Sequence, residues 1–414
     1  MEDRVILHSD LNNCYASIEC MLHPELQGKY IAVCGSTEER HGIVLAKNQK
    51  AKKCGVRTGD VIWEAKQKCP QLTVVPPHMD QYLKFSKIVR AIYMRYSPEV
   101  EAFGIDESWI DLTGSPLLRG RTPESVADEI RETVKTEVGL TVSVGVSFNK
   151  IFAKLGSDMK KPDAVTVITE DSFRRQVWPL PASDLLLVGP ATAQKLARFG
   201  ICTIGALARA DPGFLARLLG KNGTVLWRYA NGLDDSRVMP CCYDPPIKSI
   251  GHGITCTDDL TDGEEVHRIF LELSQQIGLR LRKEKLAATR VQISVRDNTL
   301  AFREFQGKLR FPTQSFTEIC AAGMQLFRRR YAWARPVRSL TIRAIGLVPA
   351  DVPVQLDLFT DYAAHCRRMK LEETMDDLRR RFGRGVINFA ALAGDIKYPR
   401  QRDIEYKMPS IMYH

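Results

Sequence analysis

No apolar run in this chain approaches the ~20 residues that a membrane span requires. There is no internal repeat and no low-complexity segment. Eleven cysteines are present, but none are spaced Cys-x-x-Cys, and the adjacent Cys241 and Cys242 cannot form one ordinary zinc clamp. An odd cysteine count without a framework reads as reduced, mostly buried thiols of a cytosolic protein. Met1-Glu-Asp-Arg leads straight into a strand with no signal-peptide pattern, so a cytoplasmic location is expected. What is present is a 414-residue chain, 44% hydrophobic, long enough for two to four domains with ample core. Its net charge of +10, with pI ≈ 9.0, favours a polyanionic partner.

The chain is organised around Phe103-Gly-Ile-Asp-Glu-Ser-Trp-Ile-Asp-Leu112. Apolar and aromatic residues flank the adjacent acids Asp106 and Glu107, which reads as two short strands meeting at a turn. A lone acidic pair on a solvated hairpin tip would mean little. A second apolar run, Arg4 to Leu11, also ends on an acid, Asp10. If the strands lie side by side, three carboxylates converge, repel one another and call for cations. Hard oxygen ligands of this kind suit magnesium, and a carboxylate cluster holding two ions is the apparatus of phosphoryl or nucleotidyl transfer.

Around these acids the order is strand (4–11), helix with asparagine caps (Asn12, Asn13), an insertion running to 76, helix (79–96), hairpin (99–113), helix (122–138) and strand (141–146). Within the insertion, two short strands precede a basic helix at 48–54. Strand, helix, hairpin, helix, strand is the order of a split βαβ, ferredoxin-like sheet, in which Asp10 and Asp106 are expected to face each other. Residues 173–236 turn helical, and the stretch at about 185–205, with Val188-Gly189 at its turn, resembles a helix-hairpin-helix whose backbone N–H groups meet a DNA phosphate. Residues 237–246 read as a linker. Residues 247–349 form a second α/β module with period-two strands at 288–296 and 337–345, whose Arg290, Arg296, Arg338 and Arg343 are expected opposite the apolar face. This module holds seventeen Lys and Arg against ten Asp and Glu, a net +7 of the chain's +10, which favours a phosphate-tracking face over merely protected sheet edges. The tail, 350–414, carries Gln355-Leu-Asp-Leu-Phe359 and a helix expected at 367–382.

Taken together these motifs resemble the Y-family of translesion DNA polymerases, in the bacterial polymerase IV and V-like branch, over about residues 1–360. His8 to Glu19 is similar to the family's first metal-binding motif, Gly104 to Gly114 to its second, and Val144 to Pro162 to the stretch whose last lysine reaches the incoming triphosphate. The resemblance implies a multidomain α/β right hand: a ferredoxin-like palm (1–10 and 77–172), small fingers (11–76), a helical thumb (173–236) and an α/β little finger (247–349). It implies that Asp10, Asp106 and Glu107, with the Leu11 carbonyl, hold two magnesium ions. Tyr15 would be the steric gate against a 2′-hydroxyl. Asn13, Cys14, Tyr15, Gln49, Lys52 and Lys161 would line the nucleotide. Gln49 and Lys52 stand where the branch usually has tyrosine and arginine, and Ala46 replaces a threonine. Gln355, Leu356, Asp357, Leu358 and Phe359 match the bacterial sliding-clamp pentapeptide, an extended segment that docks in an apolar groove. The implied partners are primer-template DNA, deoxynucleoside triphosphates and the clamp, for a monomer with no membrane attachment.

Two other classes compete: a catalytically weak DNA-binding repair factor, and a nucleotide cyclase on the same palm fold. Intact acids argue against the first. The helix-hairpin-helix and the basic module have no purpose in the second.

Overall fold

The computed structural model describes residues 4–37, 40, 42–356 and 361–399. Two compact units divide the chain between residues 243 and 244, with the short segment at 36–42 grouped with the second.

The first unit begins with β1 (Ile6–Leu11) and α1 (Cys14–Leu22). A small three-stranded sheet follows, built from β2 (Tyr30–Cys34), β3 (Val44–Lys47) and β4 (Leu72–Val75) in the order β3-β2-β4, with α2 (Gln49–Lys53) and α3 (Ile62–Lys68) between its last two strands. Then come α4 (Met79–Tyr93), β5 (Val100–Ala102), β6 (Glu107–Asp111), α5 (Pro123–Val138), β7 (Val142–Ser147), α6 (Lys150–Met159) and β8 (Val165–Ile168). The main sheet has the order β5-β6-β1-β7-β8. It is covered on both faces, so β1 is buried at all six positions and reads as a continuous run rather than an alternation. Leu7, Leu11 and Ile110 pack with Val89, Ile92 and Ile130 from α4 and α5. On the other face Ile6 and Trp109 pack with Ala153 from α6. That helix approaches so closely that a Cβ on Gly145 would sit 1.9 Å from the Ala153 carbonyl oxygen.

The 12–76 stretch is less of an insertion than its sequence suggests. Cys14, Ala16, Ile18, Ile31 and Val33 belong to the same core as the main sheet, and only a small cluster around Val44, Val56 and Cys69 is separate. Nor is Asn13 a side-chain cap: it occupies the N-cap position of α1 at φ +51 with no side-chain bond. Asn12 turns away, donating to Ser143 Oγ (2.9 Å) and accepting from the Asp163 backbone N–H (2.8 Å).

Helices α7 (Phe173–Val177), α8 (Pro190–Ala197), α9 (Ile204–Arg209), α10 (Pro212–Leu219) and α11 (Lys221–Ala230) share a core with Phe152 and Leu155 of α6. The start of the expected linker is pinned rather than loose. Val238 is buried against Ile6 and Trp109, and the Met239 N–H donates to Glu101 Oε2 (2.9 Å). Glu101 is itself paired with buried Lys150 at 2.7 Å.

The second unit contains β9 (Ser249–Leu260), α12 (Gly263–Lys283), β10 (Leu286–Asp297), β11 (Phe302–Thr313), α13 (Phe316–Arg330), β12 (Val337–Pro349) and α14 (Tyr362–Phe382). Its sheet, β11-β10-β12-β9, is antiparallel and backed on one face by α12 and α13. Strand β11 escapes the sequence reading because it is an exposed edge whose polar residues hide its alternation. Helix α14 starts five residues earlier than its apolar spacing suggests, where the Asp361 side chain caps the Ala364 N–H. It is tied down by buried Glu372, which accepts from Ser315 Oγ (2.6 Å), the Phe316 N–H (2.7 Å) and Thr317 Oγ1 (2.6 Å) at the start of α13. All eleven cysteines are free thiols; Cys202, Cys241, Cys242 and Cys366 are exposed, so burial is less general than expected. Among the described residues no helix is long and apolar enough to cross a membrane.

Candidate active site

Strand β1 lies between β6 and β7, and its register places Asp10 opposite Glu107. The expected pairing with Asp106 is displaced by one residue. Strand β6 opens at Glu107, while Asp106 sits in the preceding bend, its carbonyl accepting from the Leu11 N–H at 2.9 Å. Gly104 makes that bend at φ +88, a conformation most L side chains avoid. The three acids therefore meet at one end of the sheet.

Helix α6 and the loop after it bring lysines against them. Asn149 caps α6 by accepting from the Phe152 N–H (2.8 Å). Lys161 Nζ lies 2.7 Å from Asp10 Oδ2 and 2.7 Å from Asp158 Oδ1. Lys154 Nζ is bonded to Glu107 Oε2 and stands 3.9 Å from Asp158 Oδ2. From inside the sheet, the His8 ring approaches Glu107 Oε2 at 3.2 Å through Nε2. Burial pushes Asp10 up to about 7 even though Lys161 pulls the other way, and the Glu107 charge adds to the rise. Burial and then Glu107 also raise Asp106. For Glu107 burial opposes the charge, but His8 and Lys154 outweigh it and hold the acid down at about 2.

Among the described residues no three His, Cys, Asp or Glu side chains already close on one point as a metal cage would. The donor set nonetheless fits hard divalent cations. It consists of oxygen ligands only, two of the three acids have raised pKa values, and each ammonium occupies one carboxylate oxygen.

Tyr15, on the first turn of α1, is half-buried beside this cluster. Burial and then the Asp106 charge raise its hydroxyl to about 12. Its ring stacks on Tyr82 at 4.2 Å with 9° between planes. Tyr82 in turn donates to buried Glu19, which also meets His78 Nδ1 at 2.9 Å. Cys14 is buried and its thiol is pushed well up by burial. Gln49 opens α2 and Lys52 is exposed on it; among the described residues no hydrogen bond or ion pair joins either to the acids. Their neighbour Lys47, which the sequence did not single out, lies 2.9 Å from Thr58 Oγ1, and burial and then the Lys52 charge depress its ammonium.

In the helical region Val188 is buried and Gly189 is exposed at the N-cap of α8, so only backbone can meet a ligand there. In the second unit Val291, Ile293 and Val295 face the helices, which leaves Arg290, Gln292, Ser294 and Arg296 on the open face. Arg343 joins them, donating to Gln292 Oε1 at 3.3 Å. Arg338 does not fall in line with them: it sits where the β12–β9 register shifts between Val337 and Ser339. Edge residues Lys308 and Arg310, unassigned from sequence, are exposed, and Lys308 pairs with Arg290 in register. Gln355 and Leu356 are exposed; Asp357, Leu358 and Phe359 lie outside the described residues.

His8, Lys154 and Asp158 fall within two of the motif stretches, but the sequence gives them no role of their own. The available signal for His8 was its place two residues before Asp10 on a strand, hence on the same face.

Residues 9–158 match the model of the impB/mucB/samB family, and 247–358 match that family's C-terminal domain. A DNA polymerase IV from Acetivibrio thermocellus is 50% identical over 93% of this chain and 97% of its own length. A DNA polymerase IV from Moorella thermoacetica is 36% identical over 94% of this chain and 96% of its own. Among solved structures, a Y-family DNA polymerase chimera of Dbh and Dpo4 superimposes with a TM-score of 0.73 at 21% identity, covering 83% of this chain and 99% of that one. The chain belongs to the Y family of translesion DNA polymerases, DNA-directed and metal-dependent, and the relatives it matches along nearly its whole length are DNA polymerases IV.

Proposed function

We propose that this polymerase adds deoxynucleotides opposite damaged template through two magnesium ions held by Asp10, Asp106, Glu107 and the Leu11 carbonyl. The observation that carries the reading is the meeting of three largely shielded carboxylates at one sheet end, two of them gripped by lysines. Bound magnesium would supply acidity at the primer 3′-hydroxyl and neutralise the triphosphate. The chain's own groups do the rest. Lys161 exchanges Asp10 for the β- and γ-phosphates, while Asp158 keeps it near. Tyr15, backed by Tyr82, stacks beneath the sugar and excludes a 2′-hydroxyl. Asn13 and Cys14 border the sugar and phosphates. Gln49 and Lys52 face the triphosphate, where lysine brings charge without arginine's planar fork.

The DNA grip is assigned to the Val188-Gly189 backbone and to Arg290, Arg296 and Arg343, with Arg338 a weaker participant because of its bulge. The palm is placed at 1–10 and 77–172, the fingers at 11–76, the thumb at 173–236, a linker at 237–246 and the little finger at 247–349. Gln355 to Phe359 is proposed to dock on a sliding clamp, which converts rebinding into an intramolecular event. The enzyme is proposed to act as a cytoplasmic monomer.

Primer extension measured beside cyclic-product formation tests the chemistry. Extension dependent on Mg²⁺ is expected, and a cyclic product or bare DNA binding would overturn it. For the clamp, Leu358→Ala with Phe359→Ala is expected to leave distributive synthesis unchanged and abolish clamp stimulation. Full stimulation of that variant, or loss of its folding stability, would remove the assignment.

A further inference from the structure

His8 is wholly buried in the face of β1 that also carries Asp10. Its ring meets Trp109 edge-on at 5.2 Å between centroids, and its Nδ1 stands 2.9 Å from Ser157 Oγ. Its Nε2 lies 3.2 Å from Glu107 Oε2, yet off the line of a hydrogen bond, so this buried nitrogen has no hydrogen-bond partner. Buried polar atoms are nearly always satisfied, and an exception aimed at a functional carboxylate needs a reason. The contacts given to Glu107 by His8 and Lys154 both fall on Oε2.

We propose that His8 is a positioning residue for Glu107. In the cation-loaded site its Nε2–H takes Oε2 over from Lys154 and turns Oε1 toward the metal. The inference rests on Glu107 being a metal ligand, as proposed above. An ammonium beside a divalent cation is repelled, and Asp158, one turn along α6 and 3.9 Å from Lys154 Nζ, offers it another carboxylate. A carboxylate released by its lysine would be free to rotate. The Ser157 Oγ also lies 2.7 Å from the Lys154 carbonyl, so His8 is a neutral Nε2–H donor when the single Ser157 proton turns from that carbonyl to Nδ1; held so between Ser157 and Trp109, it fixes the carboxylate without adding positive charge beside the cations. Ligating carboxylates are commonly held by such outer hydrogen bonds, whose loss weakens metal affinity about tenfold to a hundredfold.

The test uses the full chain with primer-template and a non-hydrolysable deoxynucleotide analogue, reading Mn²⁺ affinity by electron paramagnetic resonance. The Mg²⁺ dependence of extension is measured in parallel. His8→Phe keeps the packing on Trp109 and removes the donor. It is expected to weaken Mn²⁺ about tenfold or more, with nucleotide KM at saturating Mg²⁺ within about threefold of the parent. His8→Gln, which restores an N–H, is expected to recover most of the affinity. Ser157→Ala is expected to shift it in the same direction by less, and it carries the test should His8→Phe not fold. Parent-like Mn²⁺ affinity in His8→Phe and Ser157→Ala, or equal losses in His8→Phe and His8→Gln, overturns the proposal. Glu107→Gln separates the two readings. If it binds Mn²⁺ like the parent, the metal assignment falls. If it loses Mn²⁺ while His8→Phe does not, only the role of His8 falls.

Discussion

The two main sheets solve different problems. The five-stranded sheet of the first unit is covered on both faces, and its central strand buries His8, Ser9 and Asp10 among apolar neighbours. Among the described residues, the four-stranded sheet of the second unit is covered by helices on one face only, and its open face carries Arg290, Arg296 and Arg343 at alternate positions. Burial makes a charge expensive unless it is paired, so the first sheet concentrates perturbed acids and their lysines in a small volume. Exposure leaves charges cheap and individually weak, so the second sheet spreads them along a surface suited to a repeating phosphate backbone. The proposed function assigns chemistry to the first arrangement and grip to the second.

The sharpest way to break this division is Asp106→Ala. It is expected to cut nucleotide addition more than about a thousandfold, about 4 kcal/mol of barrier, while primer-template affinity stays near that of the parent in filter or anisotropy assays. Extension within about tenfold of the parent would mean the buried cluster is not the catalytic one.

Glu372→Ala probes the second unit's own stability. Removing a buried carboxylate that satisfies the start of α13 should cost about 3 kcal/mol, read as a lower denaturant midpoint for that unit. Mg²⁺ dependence of addition by the folded enzyme should be unchanged; a change in it would tie the tail to the chemistry.

Tyr15→Ala should admit ribonucleotides, lowering discrimination between dCTP and rCTP at least about tenfold in single-turnover assays. Unchanged discrimination would return the Tyr15–Tyr82 stack to a purely structural role.

The smallest effect is expected from single arginines of the open face. Arg343→Ala should weaken DNA binding a few-fold and reduce the slope of log affinity against log salt by about 0.9. An unchanged slope would remove Arg343 from the phosphate contacts.

Part of this was written in the linear chain. Alternation and turn residues located most strands of both sheets, and a β-branched run ending on Asp10 together with the Asp106-Glu107 turn marked the acids before any fold was known. Local pattern fixes such elements because side-chain period and turn geometry are properties of neighbours in sequence. Edge strand β11 escaped because an exposed polar strand has no apolar face to display. Register decided that Asp10 opposes Glu107, since pairing depends on where β6 begins. The close seat of α6 on β7, allowed by Gly145, decided which lysine meets which acid. The contacts between His8 and Glu107, Lys161 and Asp10, and Glu372 and the start of α13 join residues 55 to 151 positions apart. No local rule couples residues at that separation; only the packing of finished elements brings their charges within reach.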